Sequence, residues 1–206
     1  MQKIVVAGVG PGGQEYILPI VKQKAAEADV LVGGKRALAP FQTGQKELIE
    51  LTGRLAGLEK TLRNLAKTKK VLVLVSGDPG FYSLLAYLRR FFAPEDLEVY
   101  PGVSSVQVAF ARLCVPWQKA KLLSVHGRDA AEILPDLLAP GVKAVLTDNH
   151  WTPGRLARLI LAAGGSDSPV YLCRHLTTPK EEIVQSSLSE LSIDEEGDCV
   201  MVIGHV

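Results

Sequence analysis

Chemistry in this chain is concentrated in loops that carry glycine. The first, Gly8-Val9-Gly10-Pro11-Gly12-Gly13, satisfies the pattern G-x-G-x-x-G directly after an apolar run at residues 3–9. In a dinucleotide site such a loop brings backbone close to a pyrophosphate, which rests on the amino end of a helix starting at the third glycine. Lys35 and Arg36, just beyond the next apolar run, would then suit a 2′-phosphate. Two prolines argue against that use. Pro19 fits only the first turn of a helix, which moves the helix start to about residue 17. Pro11 fixes φ inside the loop and removes a donor that a phosphate would need.

The second loop, Ser76-Gly77-Asp78-Pro79-Gly80, follows Val71-Leu72-Val73-Leu74-Val75. A buried parallel strand ending in small residues and an acid puts the acid at the carboxyl edge of the sheet, where ligands bind. Gly77 and Gly80 allow close approach to the backbone. Asp78 is equally suited to capping the next helix, and the loop alone does not separate the two roles. In the third loop, Pro101-Gly102-Val103-Ser104-Ser105, either serine would serve as an ordinary N-cap. The order of the three loops is the stronger signal, because each follows a strand of one apparent sheet and all would line one edge.

The elements that must hold these loops follow from the apolar pattern. Residues 3–9, 30–32, 71–75 and 97–100 read as buried strands. Helical spacing appears at about 17–28, 55–67, 82–92 and 103–113; the second of these has apolar residues at 55, 58, 62 and 65. This alternation predicts a mainly parallel sheet covered on both faces. Cys114-Val115-Pro116-Trp117 breaks the pattern, which places a boundary near 113–120 and lobes at 1–115 and 116–206. In the second lobe, 122–125, 144–146 and 170–173 read as strands, with helices at about 130–138 and 153–163. Residues 182–188 and 199–204 are expected to pair as a hairpin-like antiparallel pair joined by 192–197. The fold class is therefore α/β, in two lobes of similar size.

Composition narrows the function classes. With 206 residues and 47% hydrophobic side chains the chain buries a substantial core. A formal net charge of +1 supplies no general field for nucleic acid or anionic membrane, so neither is an expected partner. The cysteines, Cys114, Cys173 and Cys199, are odd in number and far apart. They fit neither a disulfide framework nor a metal site, and are read as buried small hydrophobes in a protein of the reducing cytoplasm. No metal cluster is expected.

Taken together, Gly8-Val9-Gly10-Pro11-Gly12, Ser76-Gly77-Asp78-Pro79 and Pro101-Gly102-Val103-Ser104-Ser105 resemble the tetrapyrrole (corrin/porphyrin) methylases over essentially the whole chain. Val32-Gly33-Gly34-Lys35-Arg36, Ser124-Val125-His126-Gly127-Arg128 and Leu146-Thr147-Asp148 look like the branch that methylates carbon 5 of (cobalt-)precorrin-7 in cobalamin biosynthesis. The resemblance implies two α/β lobes with S-adenosylmethionine in the cleft between them, and a homodimer. It implies cofactor contacts at Pro11, Ser76, Gly77, Asp78 and Phe81, at Ser104 and Ser105, and in the second lobe around Asp148 and Leu176. The family usually has an acidic-Asn-Leu-Gly-like turn in that last region, where this chain has Arg174-His175-Leu176-Thr177. The aerobic enzyme is fused to a methyltransferase that acts on carbon 15 with loss of a carboxyl group. A chain of 206 residues leaves no room for it, so the companion activity is expected on a separate protein. The cobalt-containing substrate is then the one expected.

Methyl transfer from a sulfonium to an electron-rich ring carbon needs no protein nucleophile, only alignment and exclusion of water. The lack of a Ser/His/Asp or Cys/His arrangement agrees with that. A corrinoid precursor carries many carboxylates, for which Lys35, Arg36 and Arg128 are candidates; solvated surface charge is the alternative for each. His126 is a candidate proton shuttle or a structural hydrogen-bonding residue. His150 and Trp151 are further candidates for substrate contact, with lobe packing as the alternative for Trp151. Competing readings are a family member acting on another precorrin or on uroporphyrinogen, an NADP-dependent reductase using Gly8, Gly10, Gly13 and Arg36, and a non-catalytic ligand-binding module of the same fold.

Overall fold

In the computed structural model, which describes residues 2–42, 46–53 and 55–205, the first apolar run forms β1 (Ile4–Gly8). It is followed by α1 (Pro19–Glu27), β2 (Val30–Gly33), α2 (Lys35–Leu38) and β3 (Glu47–Glu50). Then come α3 (Leu58–Leu65), β4 (Val71–Val75), α4 (Leu84–Leu88) and β5 (Leu97–Tyr100). These elements belong to one unit, Met1–Ser104. The sheet is wholly parallel in the order β3-β2-β4-β1-β5, with Gly8 opposite Val75 and Ala7 opposite Tyr100.

Period-two alternation divides this core between the two faces. Val6, Val32 and Val73 pack with Leu58 and Leu62 of α3 and Leu88 of α4. Ala7, Leu31, Leu72 and Leu74 pack with Val21 and Ala25 of α1 and Ala37 and Leu38 of α2. All five residues of β4 are buried, as a central strand covered on both sides requires. The edge strand β3 has no apolar run to announce it, since Glu47 and Glu50 flank its two apolar residues. Charged residues at an edge deter pairing with another chain. The helix expected at 82–92 is limited to Leu84–Leu88, because Tyr82 has φ +48° and Ser83 is extended.

The second unit, Ser105–Val206, holds α5 (Ser105–Arg112), β6 (Lys121–Ser124), α6 (Leu134–Leu138), β7 (Lys143–Leu146) and α7 (Pro153–Ala162). It ends with β8 (Pro169–Arg174), β9 (Glu182–Ser187) and β10 (Cys199–Ile203). The division falls between Ser104 and Ser105, earlier than the expected boundary at 115. The reason is α5, which packs against β10 and buries Val106, Val108, Ala109 and Phe110.

The second sheet has the order β6-β7-β10-β8-β9; β6 and β7 are parallel and the remaining pairings antiparallel. The expected hairpin of β9 with β10 does not form, because β8 lies between them. Burial explains the order. Every residue of β10 is buried, so it needs neighbours on both sides, whereas β9 is largely exposed and takes the edge. Leu123, Val145, Leu172 and Met201 form one core with Leu137 of α6 and Leu156, Ala157 and Ile160 of α7. Cys173 and Cys199 are buried, but Cys114 is exposed with φ +56°, contrary to the sequence reading. Among the described residues no helix is long and apolar enough to cross a membrane.

Candidate functional site

Parallel pairing puts the carboxyl ends of β4, β1 and β5 side by side, so the three glycine loops leave the same edge of the first sheet. They are locked together by backbone. Gly10 and Gly77 form an isolated antiparallel bridge, with the Gly77 N–H donating to the Gly10 carbonyl at 2.8 Å. Both residues have positive φ, +79° and +65°, which glycine adopts without strain. A Cβ on Gly8 would lie 2.7 Å from the Gly102 Cα, and one on Gly102 would lie 2.8 Å from the Gly8 Cα and overlap the Gly77 carbonyl oxygen. Gly8, Gly77 and Gly102 therefore meet backbone to backbone, each from a different strand end.

Asp78 completes the lock. Its Oδ1 accepts the Gly80 N–H at 2.7 Å and its Oδ2 accepts the Gly102 N–H at 3.0 Å. Ser83 occupies the N-cap position of α4, so Asp78 braces the second loop against the third and does not cap the helix. Pro11 is half-buried beside this junction in the chain, Ser76 is exposed, and Ser104 is buried. Phe81 stacks edge-on with Tyr82 at 5.0 Å between ring centroids, and Tyr82 is 41% exposed. The second and third loops thus carry serine hydroxyls, backbone groups and two aromatic rings next to the lock in the chain. Such neutral donors and π-faces suit the amino-acid, ribose and adenine parts of S-adenosylmethionine. A Cβ on Gly77 would meet only the Ser104 Cα, at an ordinary contact distance of 3.8 Å, so among the described residues it is the positive φ rather than crowding that calls for glycine there.

The dinucleotide reading does not survive the geometry. Gly13 is followed by a single 3₁₀ turn, Gln14–Tyr16, and α1 begins only at Pro19 with Leu18 at its N-cap. The helix after β1 therefore does not begin at the third glycine, where a pyrophosphate would need its amino end. Lys35 and Arg36 open α2 at the carboxyl end of β2, next to β4, and both are exposed on the edge that bears the glycine loops.

In the second unit the carboxyl ends of the parallel pair β6 and β7 are joined by Asp148. Its Oδ2 accepts the Gly127 N–H at 3.0 Å, and its Oδ1 accepts the N–H groups of His150 at 2.8 Å and Trp151 at 2.7 Å. Burial acts to raise its carboxyl pKa, but the donors at Trp151, Gly127 and His150, with the nearby His126, hold it below the usual value. This fixes His126, Gly127 and Arg128 relative to the loop after β7. The side chains of His126, Arg128 and His150 are exposed there, and the Trp151 ring meets that of His150 edge-on at 5.5 Å.

Leu176 lies apart from that cluster, beyond β8. It is 5% exposed and flanked by two left-handed residues, His175 at φ +48° and Thr177 at φ +67°. The Thr177 N–H donates to Glu181 at 2.6 Å, and Glu181 is paired with Arg112 of α5 at 2.5 Å. Ser105 begins α5. Sequence reasoning assigns no role to Thr147, Arg174, Glu195 or Gly197, which tie the second unit's loops together. Thr147 and Arg174 stand inside quoted segments, whereas residues 192–197 read only as the joint of a hairpin.

A lock of three loops at the carboxyl edge of a parallel sheet is followed by a mixed second sheet, and the sequence defines the class of protein that this is. Residues 3–192 match the profile of the tetrapyrrole (corrin/porphyrin) methylases, and the chain belongs to that family. A probable cobalt-precorrin-7 C(5)-methyltransferase of Methanocaldococcus jannaschii is 32% identical over 92% of this chain and 91% of its own. The cobalt-precorrin-7 C(5)-methyltransferase of Salmonella typhimurium is 29% identical over 97% of this chain and 98% of its own. A decarboxylating precorrin-6Y C(5,15)-methyltransferase of a Sinorhizobium species is 33% identical, but the match spans 80% of this chain and only 40% of that protein.

Among solved structures, the precorrin-6Y methylase CbiE of Archaeoglobus fulgidus superposes with a TM-score of 0.77, covering 98% of this chain and 97% of that one at 23% identity. The uroporphyrin-III C-methyl transferase of Thermus thermophilus, complexed with S-adenosylhomocysteine, gives 0.74 over 98% and 92% at 20% identity. These two share the fold.

Proposed function

We propose that this protein is an S-adenosylmethionine-dependent C-methyltransferase that methylates carbon 5 of cobalt-precorrin-7 in cobalamin biosynthesis. The observation that carries the reading is the backbone lock of Gly8, Gly77 and Gly102 braced by Asp78, which fixes three loops at one ligand-binding edge. The names of the full-length relatives supply the position methylated. The Sinorhizobium relative, whose name joins carbon-5 and carbon-15 methylation, supports a functional pairing with a decarboxylating carbon-15 activity. Cytoplasmic location and a homodimer are part of the same reading.

When bound, the cofactor would supply a methyl group made electrophilic by the sulfonium. The proposed ligands are Pro11, Ser76, Gly77, Asp78, Phe81 and Ser104 in the first unit and Ser105, Asp148 and Leu176 in the second. Their task would be to hold that methyl in line with carbon 5 and to keep water from it. Lys35, Arg36 and Arg128 are the proposed partners of substrate carboxylates, and His126 the proposed acceptor of a proton released from the ring. Incubation with S-adenosylmethionine and cobalt-precorrin-7 tests the reading. A product one methyl heavier at carbon 5 is expected. Turnover of uroporphyrinogen instead would move the chain to another branch of the family.

A further inference from the structure

The loops carrying Asp148 and Leu176 leave β7 and β8, and those strands are not neighbours. β10 lies between them, so the two loops are two strand spacings apart, roughly 9–10 Å, and share no ladder hydrogen bond. The segment that leads into β10, residues 192–198, reaches both. On the β7 side, the buried Thr147 hydroxyl donates to the Gly197 carbonyl and accepts the Cys199 N–H at 3.1 Å. A Cβ on Gly197 would overlap the Asp148 carbonyl oxygen and lie 2.7 Å from the Asn149 Cα. Thr152, which caps α7, donates to the Ile193 carbonyl at 3.2 Å.

On the β8 side the contact is ionic. Arg174 is 8% exposed; its Nη1 meets Glu182 at 3.2 Å and its Nη2 meets Glu195. His175 Nε2 lies 3.4 Å from Glu196. Glu182 is largely exposed, so Glu195 is the better-buried counter-charge to this guanidinium. The Arg174 Nε is buried without a hydrogen-bond partner, so among the described residues this guanidinium already carries an unmet donor. Removing Glu195 would leave a nearly buried cation more weakly compensated.

We propose that residues 192–198 form a strap that holds the Asp148 and Leu176 loops in fixed register, with Arg174 and Glu195 as positioning residues for the cofactor site. The link to the cofactor rests on the function proposed above; the link between the loops does not.

The test uses Glu195→Gln, which is isosteric, and Arg174→Gln as a second variant. Amide hydrogen exchange on the ligand-free protein is expected to quicken about tenfold at His150 and Trp151 in both variants, with the strand cores unchanged. Calorimetry is expected to show affinity for S-adenosylhomocysteine falling about tenfold in each, with the double variant no weaker than either single one, as an interacting pair requires. Arg174→Lys, which keeps the charge, should recover part of that loss. Unaltered exchange at His150 and Trp151 would overturn the strap. Quickened exchange with unaltered affinity would overturn the positioning role. Failure of the parent protein to bind S-adenosylhomocysteine would overturn the functional reading alone and leave the strap standing on its exchange data.

Discussion

Asp78 shows how one side chain can be legible in type and illegible in role. Its position after a buried strand marks it for a ligand or a cap, yet both carboxylate oxygens hold loop backbone, at Gly80 and Gly102. Asp78→Ala leaves the Gly102 N–H without that acceptor, a loss of about 1–3 kcal/mol, and frees the third loop. The expected result is a lower melting temperature together with at least about tenfold weaker binding of S-adenosylhomocysteine. Unchanged affinity in calorimetry would confine Asp78 to a structural brace. Arg128 contrasts with it, because its side chain is exposed on a loop that Asp148 holds from the other side. Arg128→Ala is expected to raise the KM for the corrinoid about tenfold, the loss of one charge-assisted contact, and to leave cofactor affinity unaltered. A fall in cofactor affinity would withdraw its assignment to substrate carboxylates.

Elements matter here through the ends at which they release their loops. β6 and β7 run parallel and deliver two loops to one end, where a single carboxylate, Asp148, collects N–H donors from both. Its pKa is held below that of a free carboxyl group, so the charged form is stabilised by folding. That contribution is complete above the ordinary carboxylate range and is lost as pH falls through the lowered folded-state value. Glu181 behaves alike, with the Arg112 hydrogen bond as the largest cause and the Thr177 N–H next. Unfolding free energy measured in denaturant should therefore decline below about pH 4 in the parent and decline less in Asp148→Asn. Equal slopes for the two proteins would mean that the native donors do not favour the charged form.

At the scale of the whole molecule, each unit has its own sheet and its own buried core. A ligand that binds only the folded chain raises its stability by about 2.7 kcal/mol at one hundred times its dissociation constant. For a chain of this size that amounts to a melting-temperature rise of roughly 5–10 °C with S-adenosylhomocysteine. NADPH is expected to give none, because α1 starts at Pro19 and not at the third glycine of the loop. A rise with NADPH alone would return the chain to the reductase reading.

The sequence by itself determined what depends on local pattern. Runs such as Val71-Leu72-Val73-Leu74-Val75 declare a two-sided strand, Pro19 declares where a helix must start, and the glycine loops declare the family, because each signal lies within a few neighbouring residues. Only the tertiary structure decided which strands lie side by side. The expected β9–β10 hairpin failed because β10, buried along its whole length, needed β7 and β8 as flanks, and pairing partners are chosen by burial between distant segments. For the same reason the partners of Asp78, Asp148 and Arg174 could not be read from the chain. Gly102, Gly127 and Glu195 lie 24, 21 and 21 residues away from them, and no local spacing rule reaches that far.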